Sequence, residues 1–210
     1  MKGAKLVTAY KNFVQDFPNR CRDVLTTSRS HAQETDREVT LLLAVATPCL
    51  ILPYERLHKD AHPSRDQERF IEAKRTLDAE LEKECSNSRL WMSFHEDDWR
   101  FKKLDEIKGY PAGWGLEKNT RPIASKKGRT ILKVIRNALA HGNIWTNGDP
   151  THTVVFVSLA NIEKPEGPFN TLQCSPQVLD RFIINWVDFL RYLEIPAYAF
   201  VETGFFSEEE

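Results

Sequence analysis

The sequence predicts a mostly α-helical bundle of four to five helices with one small β-hairpin. Three observations carry this. Apolar residues recur at three- and four-residue spacing in most of the chain. One helix-like run, Ile131–Trp145, is followed by a turn signal and a β-branched stretch. The last long segment opens with Ser175-Pro176, a helix start. The 210 residues suit a single domain, expected over 1–200, with a frayed acidic tail at 201–210.

Residues 4–30 read as the first helix, with Leu6, Tyr10, Phe13, Val14 and Phe17 on one side and Pro18 as a kink or break. Thr35 and Asp36 are N-cap candidates for a second helix over 36–59. That helix is apolar nearly all round as far as Pro53, which predicts the centre of the core, and Pro48 and Pro53 should bend or break it. Ser64 opens a third helix whose stripe is Phe70, Ala73, Leu77 and Leu81, its other face being dense in alternating charge. The stretch 106–122 is rich in breakers and reads as a loop. The fourth helix spans about Lys127–His141 and stops at Gly142. Asn147-Gly148 then predicts a hairpin pairing Asn143–Thr146 with Thr153–Leu159. Residues 163–171 read as a loop, and the fifth helix follows Ser175.

Composition narrows the function classes. Hydrophobic residues make up 41 % and charged residues 28 %, as in an ordinary globular protein. The net charge of −1 provides no global field toward nucleic acid, so any such contact must come from a local patch. The start has no long apolar core after its lysines, which argues against a signal peptide, and the apolar run Val39–Pro53 is short for a membrane span. Cys21, Cys49, Cys85 and Cys174 are widely separated without a CxxC pair, which fits a reducing cytoplasm and argues against zinc knuckles.

The fourth helix holds the chemistry. On a wheel of about 100° per residue, Leu132, Ile135 and Leu139 face the core. Asn137 and His141 share the opposite side with Val134 and Ala138, small apolar residues that a second copy of the helix could pack against. Arg136 lies roughly 140° from His141, so one straight helix does not set them side by side. A histidine at the negative end of the helix dipole can give or take a proton at physiological pH. Arg136 can hold a phosphate oxygen with two parallel hydrogen bonds, and Asn137 can orient the imidazole or a substrate group. Together they suffice for RNA cleavage without metal, a 2′-hydroxyl attacking the adjacent phosphate. Lys126, Lys127, Arg129 and Lys133 form a local basic patch fitted to a nucleic-acid backbone. The bland reading is a capped surface helix with a C-terminal histidine.

Arg136–His141, "RNALAH", resembles the R-x4-H motif of the HEPN superfamily (higher eukaryotes and prokaryotes nucleotide-binding), in which a polar residue follows the arginine, here Asn137. The upstream helix "EVTLLLAVATPCLILPYERL" is similar to the apolar helix of a small plasmid- and genome-encoded HEPN branch. The likeness covers most of residues 1–195. It implies an antiparallel, up-and-down bundle that dimerises through the motif helices, so that two motifs build one composite cleft. It implies a metal-independent endoribonuclease needing no cofactor, with Arg136, Asn137 and His141 as catalytic residues and RNA as substrate. It also implies a toxin or phage-defence role, with a nucleotidyltransferase-like antitoxin as a partner. Some HEPN branches are non-catalytic modules that bind nucleotide, RNA or a partner protein, and others serve as structural subunits. The hairpin departs from the minimal bundle.

Other clusters carry less. His95–Trp99, "HEDDW", reads as a solvated or capping segment rather than a metal site, because adjacent side chains diverge. Glu55 should pair with an arginine such as Arg56 or Arg136, or reach the cleft. Of the five tryptophans, Trp91, Trp99, Trp114 and Trp186 read as packing, and Trp145, four residues past His141, is the one placed to stack on a base. His58, His62 and His152 show no ligand spacing, and Gly113-Trp114-Gly115 lacks the residues of a phosphate loop.

Overall fold

The computed structural model describes residues 12–58, 67–91, 93–95, 97–107, 114, 121–148, 154–162 and 166–195. The described elements are α1 (Phe13–Glu34), α2 (Glu38–His58), α3 (Glu68–Glu82), β1 (Trp99–Leu104), β2 (Arg121–Pro122), α4 (Gly128–His141), β3 (Ile144–Gly148), β4 (Val154–Asn161), β5 (Phe169–Cys174) and α5 (Pro176–Tyr192). The protein is mostly helical, as expected, but the strands form a five-stranded antiparallel sheet in the order β2-β1-β5-β4-β3, not a lone hairpin. The hairpin is therefore one edge of a larger surface.

The extra strands were hidden by their polarity. β1 alternates buried Trp99 and Phe101 with partly exposed Arg100 and Lys102, a period-two pattern that is short and rich in lysine. β5 overlaps the expected loop at 163–171. Its polar Thr171 and Gln173 are buried, and neighbours take their donors: the Thr171 hydroxyl donates to the Lys102 carbonyl at 2.9 Å, and the Gln173 amide to Ser158 Oγ at 3.2 Å. Asn147 and Gly148 lie within β3, with a bulge between them, so the reversal comes later than the Asn-Gly signal implied.

The helices also differ in detail. α1 runs on past 30 to Glu34, and Pro18 does not interrupt it; residues 4–11 lie outside the described part. Thr35 ends α1, its hydroxyl bonded to the His31 carbonyl, and Asp36 takes the left-handed φ of 53° that turns the chain into α2, so neither acts as the expected N-cap. Pro48 and Pro53 sit inside α2 without breaking it, because burial of Cys49, Leu50 and Pro53 outweighs the lost backbone bonds. α2 is not enclosed: Leu52 is 40 % exposed, and Ala44 on the same side is exposed too. By length and composition alone this helix could cross a membrane, but here its other face packs on α1, α4 and α5. Ser64 lies outside the described residues, and Gln67 precedes α3. Ser175 caps α5 by accepting from the Val178 amide, as expected.

One core joins the layers. Trp91 stacks on Phe182 with centroids 4.6 Å apart, Trp99 meets both edge-on, and Trp186 Nε1 donates to the Cys49 carbonyl at 3.2 Å. α4 lies between α2 and α3 on one side and β4 and β5 on the other. It is thus covered on two sides, and this sets what its polar residues can do.

Candidate functional site

Gly142 adopts the left-handed conformation, φ 69°, and its amide bonds back to the Ala138 carbonyl, closing α4 as its sequence suggests. His141 is therefore held in the exposed last turn. The chain does not then leave the bundle. The Asn143 carbonyl accepts from the Ala160 amide, stitching the end of α4 to β4.

Arg136 sits half-buried at the seam of α2 and α4. Its Nη1 donates to Glu55 Oε1 at 2.8 Å, its Nε to Asn137 Oδ1 at 3.0 Å, and its guanidinium carbon lies 5.5 Å from the centre of the Tyr54 ring. Glu55 thus forms the ion pair anticipated for it. Burial pushes the Tyr54 hydroxyl up, against the opposing influence of Arg129 and Arg136.

Asn137 departs from expectation. It is 2 % exposed, and its Nδ2 donates to Asn161 Oδ1 at 2.8 Å. Val134 and Ala138, expected to be open to a second helix, are also fully buried within the one chain. The reason is the sheet: β4 covers the face of α4 that a minimal bundle would leave open. What α4 leaves exposed is Lys133, Ala140 and His141. No hydrogen bond joins Arg136 to His141 among the described residues.

The basic patch is largely tied to α3. Lys127 Nζ lies 2.9 Å from Glu82 Oε2, Arg129 Nε 2.6 Å from Glu82 Oε1, and Arg129 Nη2 2.9 Å from Asp78 Oδ1. Lys127, then Arg129, hold the Glu82 carboxyl below the ordinary carboxylate range. Lys126 lies over the Phe101 ring, 5.1 Å from its centre. Lys133 is exposed and faces a cleft of about 400 Å³ between α4 and the chain leading into β5.

The lesser clusters behave as structure. Trp145 meets Trp114 edge-on at 4.9 Å, so the tryptophan placed to stack on a base packs on another ring. Asp98 accepts from the His95 amide at 3.0 Å and pairs with Arg181 at 3.3 Å. His58 stacks on Tyr54 and contacts Asp78 at 3.3 Å; His62 and His152 lie outside the described residues. The four cysteines are free, and burial pushes the Cys85 thiol up to about 12. No group of three or more metal-ligating side chains occurs among the described residues. Sequence reasoning missed Asn161, Tyr54 and the acids of α3; only the polar end of an apolar strand in "SLANI" hinted at Asn161.

The family model for HEPN pEK499 p136 matches residues 4–194. The chain belongs to this HEPN family, of which the resemblance at Arg136–His141 was the visible mark. No curated protein matches the chain, and no solved structure does.

Proposed function

We propose that this HEPN protein is a metal-independent endoribonuclease, acting as a toxin or phage-defence effector in the cytoplasm. The observation that carries the reading is the pre-set Arg136 fork, held by Glu55 and Asn137 with His141 exposed five residues on. An incoming phosphodiester would exchange with Glu55 for the guanidinium, whose planar donors match phosphate oxygens. His141 would take the proton of the attacking 2′-hydroxyl or return one to the leaving 5′-oxygen, and Arg136 would stabilise the charge on phosphorus. The products are a 2′,3′-cyclic phosphate and a 5′-hydroxyl. Asn137 supports Arg136 from behind rather than touching substrate.

In this reading two copies pair through the exposed side of α4, near Ala140 and His141, so that each Arg136 is completed by the other copy's His141. Val134 and Ala138 have no part in that contact. A nucleotidyltransferase-like antitoxin is the partner proposed to restrain the activity. Lys133, exposed on α4, would help to guide RNA, whereas Lys127 and Arg129, paired with α3, serve mainly to hold α4 in place, and Lys126 lies over Phe101.

One observation favours a second reading, a non-catalytic module binding nucleotide, RNA or a partner protein: Arg136 is already ion-paired. The test is cleavage of total cellular RNA by purified protein with EDTA present, beside Arg136→Ala and His141→Ala. Cleavage by the wild type that both variants lose supports the ribonuclease. A folded wild type that leaves RNA intact and harms no host on expression overturns it in favour of the binding module.

A further inference from the structure

The cleft beside Lys133 has the make-up of a binding site distinct from the Arg136–His141 pair. It opens between the N-terminal half of α4 and the segment 166–170, and is lined by Arg129, Thr130, Lys133, Asn161, Pro168 and Asn170. Its volume of about 400 Å³ lies in the range of small-molecule sites, roughly 300–1,000 Å³. It is far too small for a duplex.

The decisive residue is Asn161. Its side chain is 9 % exposed, and its Oδ1 is taken by Asn137. The residue also lines the cleft. Asn170 is the residue registered opposite Asn161 in the β4–β5 ladder, so the two side chains emerge on the same face. The cleft therefore presents two adjacent carboxamides, a donor–acceptor array suited to the edge of a nucleobase.

The remaining lining completes that fit. Exposed Pro168 and the buried Phe169 beside it supply apolar surface, and Thr130 supplies a hydroxyl. Lys133 contributes an ammonium one helical turn before Asn137, while Arg129 is engaged by Asp78 and Glu82. Glu166 also lines the cleft, so the local charge favours a singly charged phosphodiester over a terminal phosphate. The wall is stiff: Gly167 lies against the Asp105 backbone so closely that no Cβ fits there.

The geometry points to a nucleotide subsite: this cleft takes the base and phosphodiester of one nucleotide in single-stranded RNA, next to the position being cut. It rests on the RNA reading of the motif and deepens it by assigning base selection to Asn161 and Asn170. Because Asn161 is bonded to Asn137, and Asn137 to Arg136, filling the cleft also bears on the residue proposed to hold the scissile phosphate.

The test uses the whole protein and probes that it cannot cleave: the 2′-deoxy dinucleoside monophosphates, with inorganic phosphate as control. Side-chain amide signals of Asn161 and Asn170 are followed by ¹⁵N NMR. The expected result is movement of both signals with a preference of at least five-fold for one base, no such movement with phosphate, and loss of the preference in Asn170→Leu. In parallel, the base found at cut sites in RNA should change in Asn170→Leu. Unmoved amides, or equal movement with phosphate alone, would overturn the subsite even if RNA is cleaved. Moving amides in a protein that cuts nothing would uphold the subsite and remove the ribonuclease reading instead. Should Asn170→Leu fail to fold, the wild-type titration still decides.

Discussion

Asn137 Nδ2 donates to Asn161 Oδ1 at 2.8 Å, binding the polar residue of the R-x4-H motif to the end of strand β4. Its Oδ1 meanwhile accepts from Arg136. Asn137 is thus the bracket that sets Arg136 relative to the sheet. Asn137→Ala leaves two buried or half-buried polar groups without their partner, at a cost of about 1–3 kcal/mol in stability. Urea unfolding of the two proteins side by side checks this; equal midpoints would mean that the amide pair does not hold α4 to the sheet.

The Glu55–Arg136 pair stands between the guanidinium and any phosphate. Glu55→Gln removes the competing charge, and binding of single-stranded RNA should tighten several-fold. Arg136→Ala should lower the slope of log affinity against log salt by about 0.7, the value for one phosphate contact on a single strand. Titrations at several salt concentrations measure both. An unchanged slope would show that Arg136 does not meet the backbone.

Glu80 gives the fold an acid-sensitive joint. It is 4 % exposed, and accepts from Lys83 Nζ at 2.7 Å and from the Arg89 amide. Burial pushes its carboxyl up, but the bonds from Lys83, Arg89 and Ser88 together outweigh this and hold it below its ordinary value. A carboxyl lowered in the folded state stabilises the protein above its unfolded value of about 4.3, and that stabilisation is lost as pH falls through the lower folded value. Unfolding midpoints should therefore drop below about pH 4.3. Glu80→Gln should be less stable at pH 7 and show a shallower acid limb. A variant with the wild-type pH profile would contradict this.

Two glycines bracket α4 for different reasons. Gly142 has open space around it but a φ of 69°, so Gly142→Ala meets only backbone strain, about 1 kcal/mol. At Gly128 an added Cβ would meet Trp91 Nε1 at 2.9 Å, in a ring already stacked on Phe182. Gly128→Ala should cost about 1–3 kcal/mol and be the more damaging of the two. Thermal melts of both variants rank them; the reverse order would place the strain at the wrong end of the helix.

The helices were readable because each buries a stripe with a period, as α4 does with Leu132, Ile135 and Leu139 and α5 does behind its Ser175 cap. The sheet was not, because β5 carries Asn170, Thr171 and Gln173, and the buried Thr171 and Gln173 bond to partners on other strands that no local pattern reveals. The same gap explains the site. Arg136, Asn137 and His141 were visible as a motif, and Glu55 as a partner. The orientation of Asn137 toward Asn161 was not, since a wheel describes one helix and β4 supplies the cover. The basic patch looked open in sequence because Asp78 and Glu82 lie some fifty positions upstream.

The strand order has a temporal meaning. β1 pairs with β5, and β5 with β4, so the middle of the sheet cannot close until the chain has been made past Cys174. A ribosome that has delivered Arg136 through His141 has delivered a helix whose sheet-facing side is bare and whose Asn137 still awaits Asn161. The motif is finished as sequence well before it exists as a site.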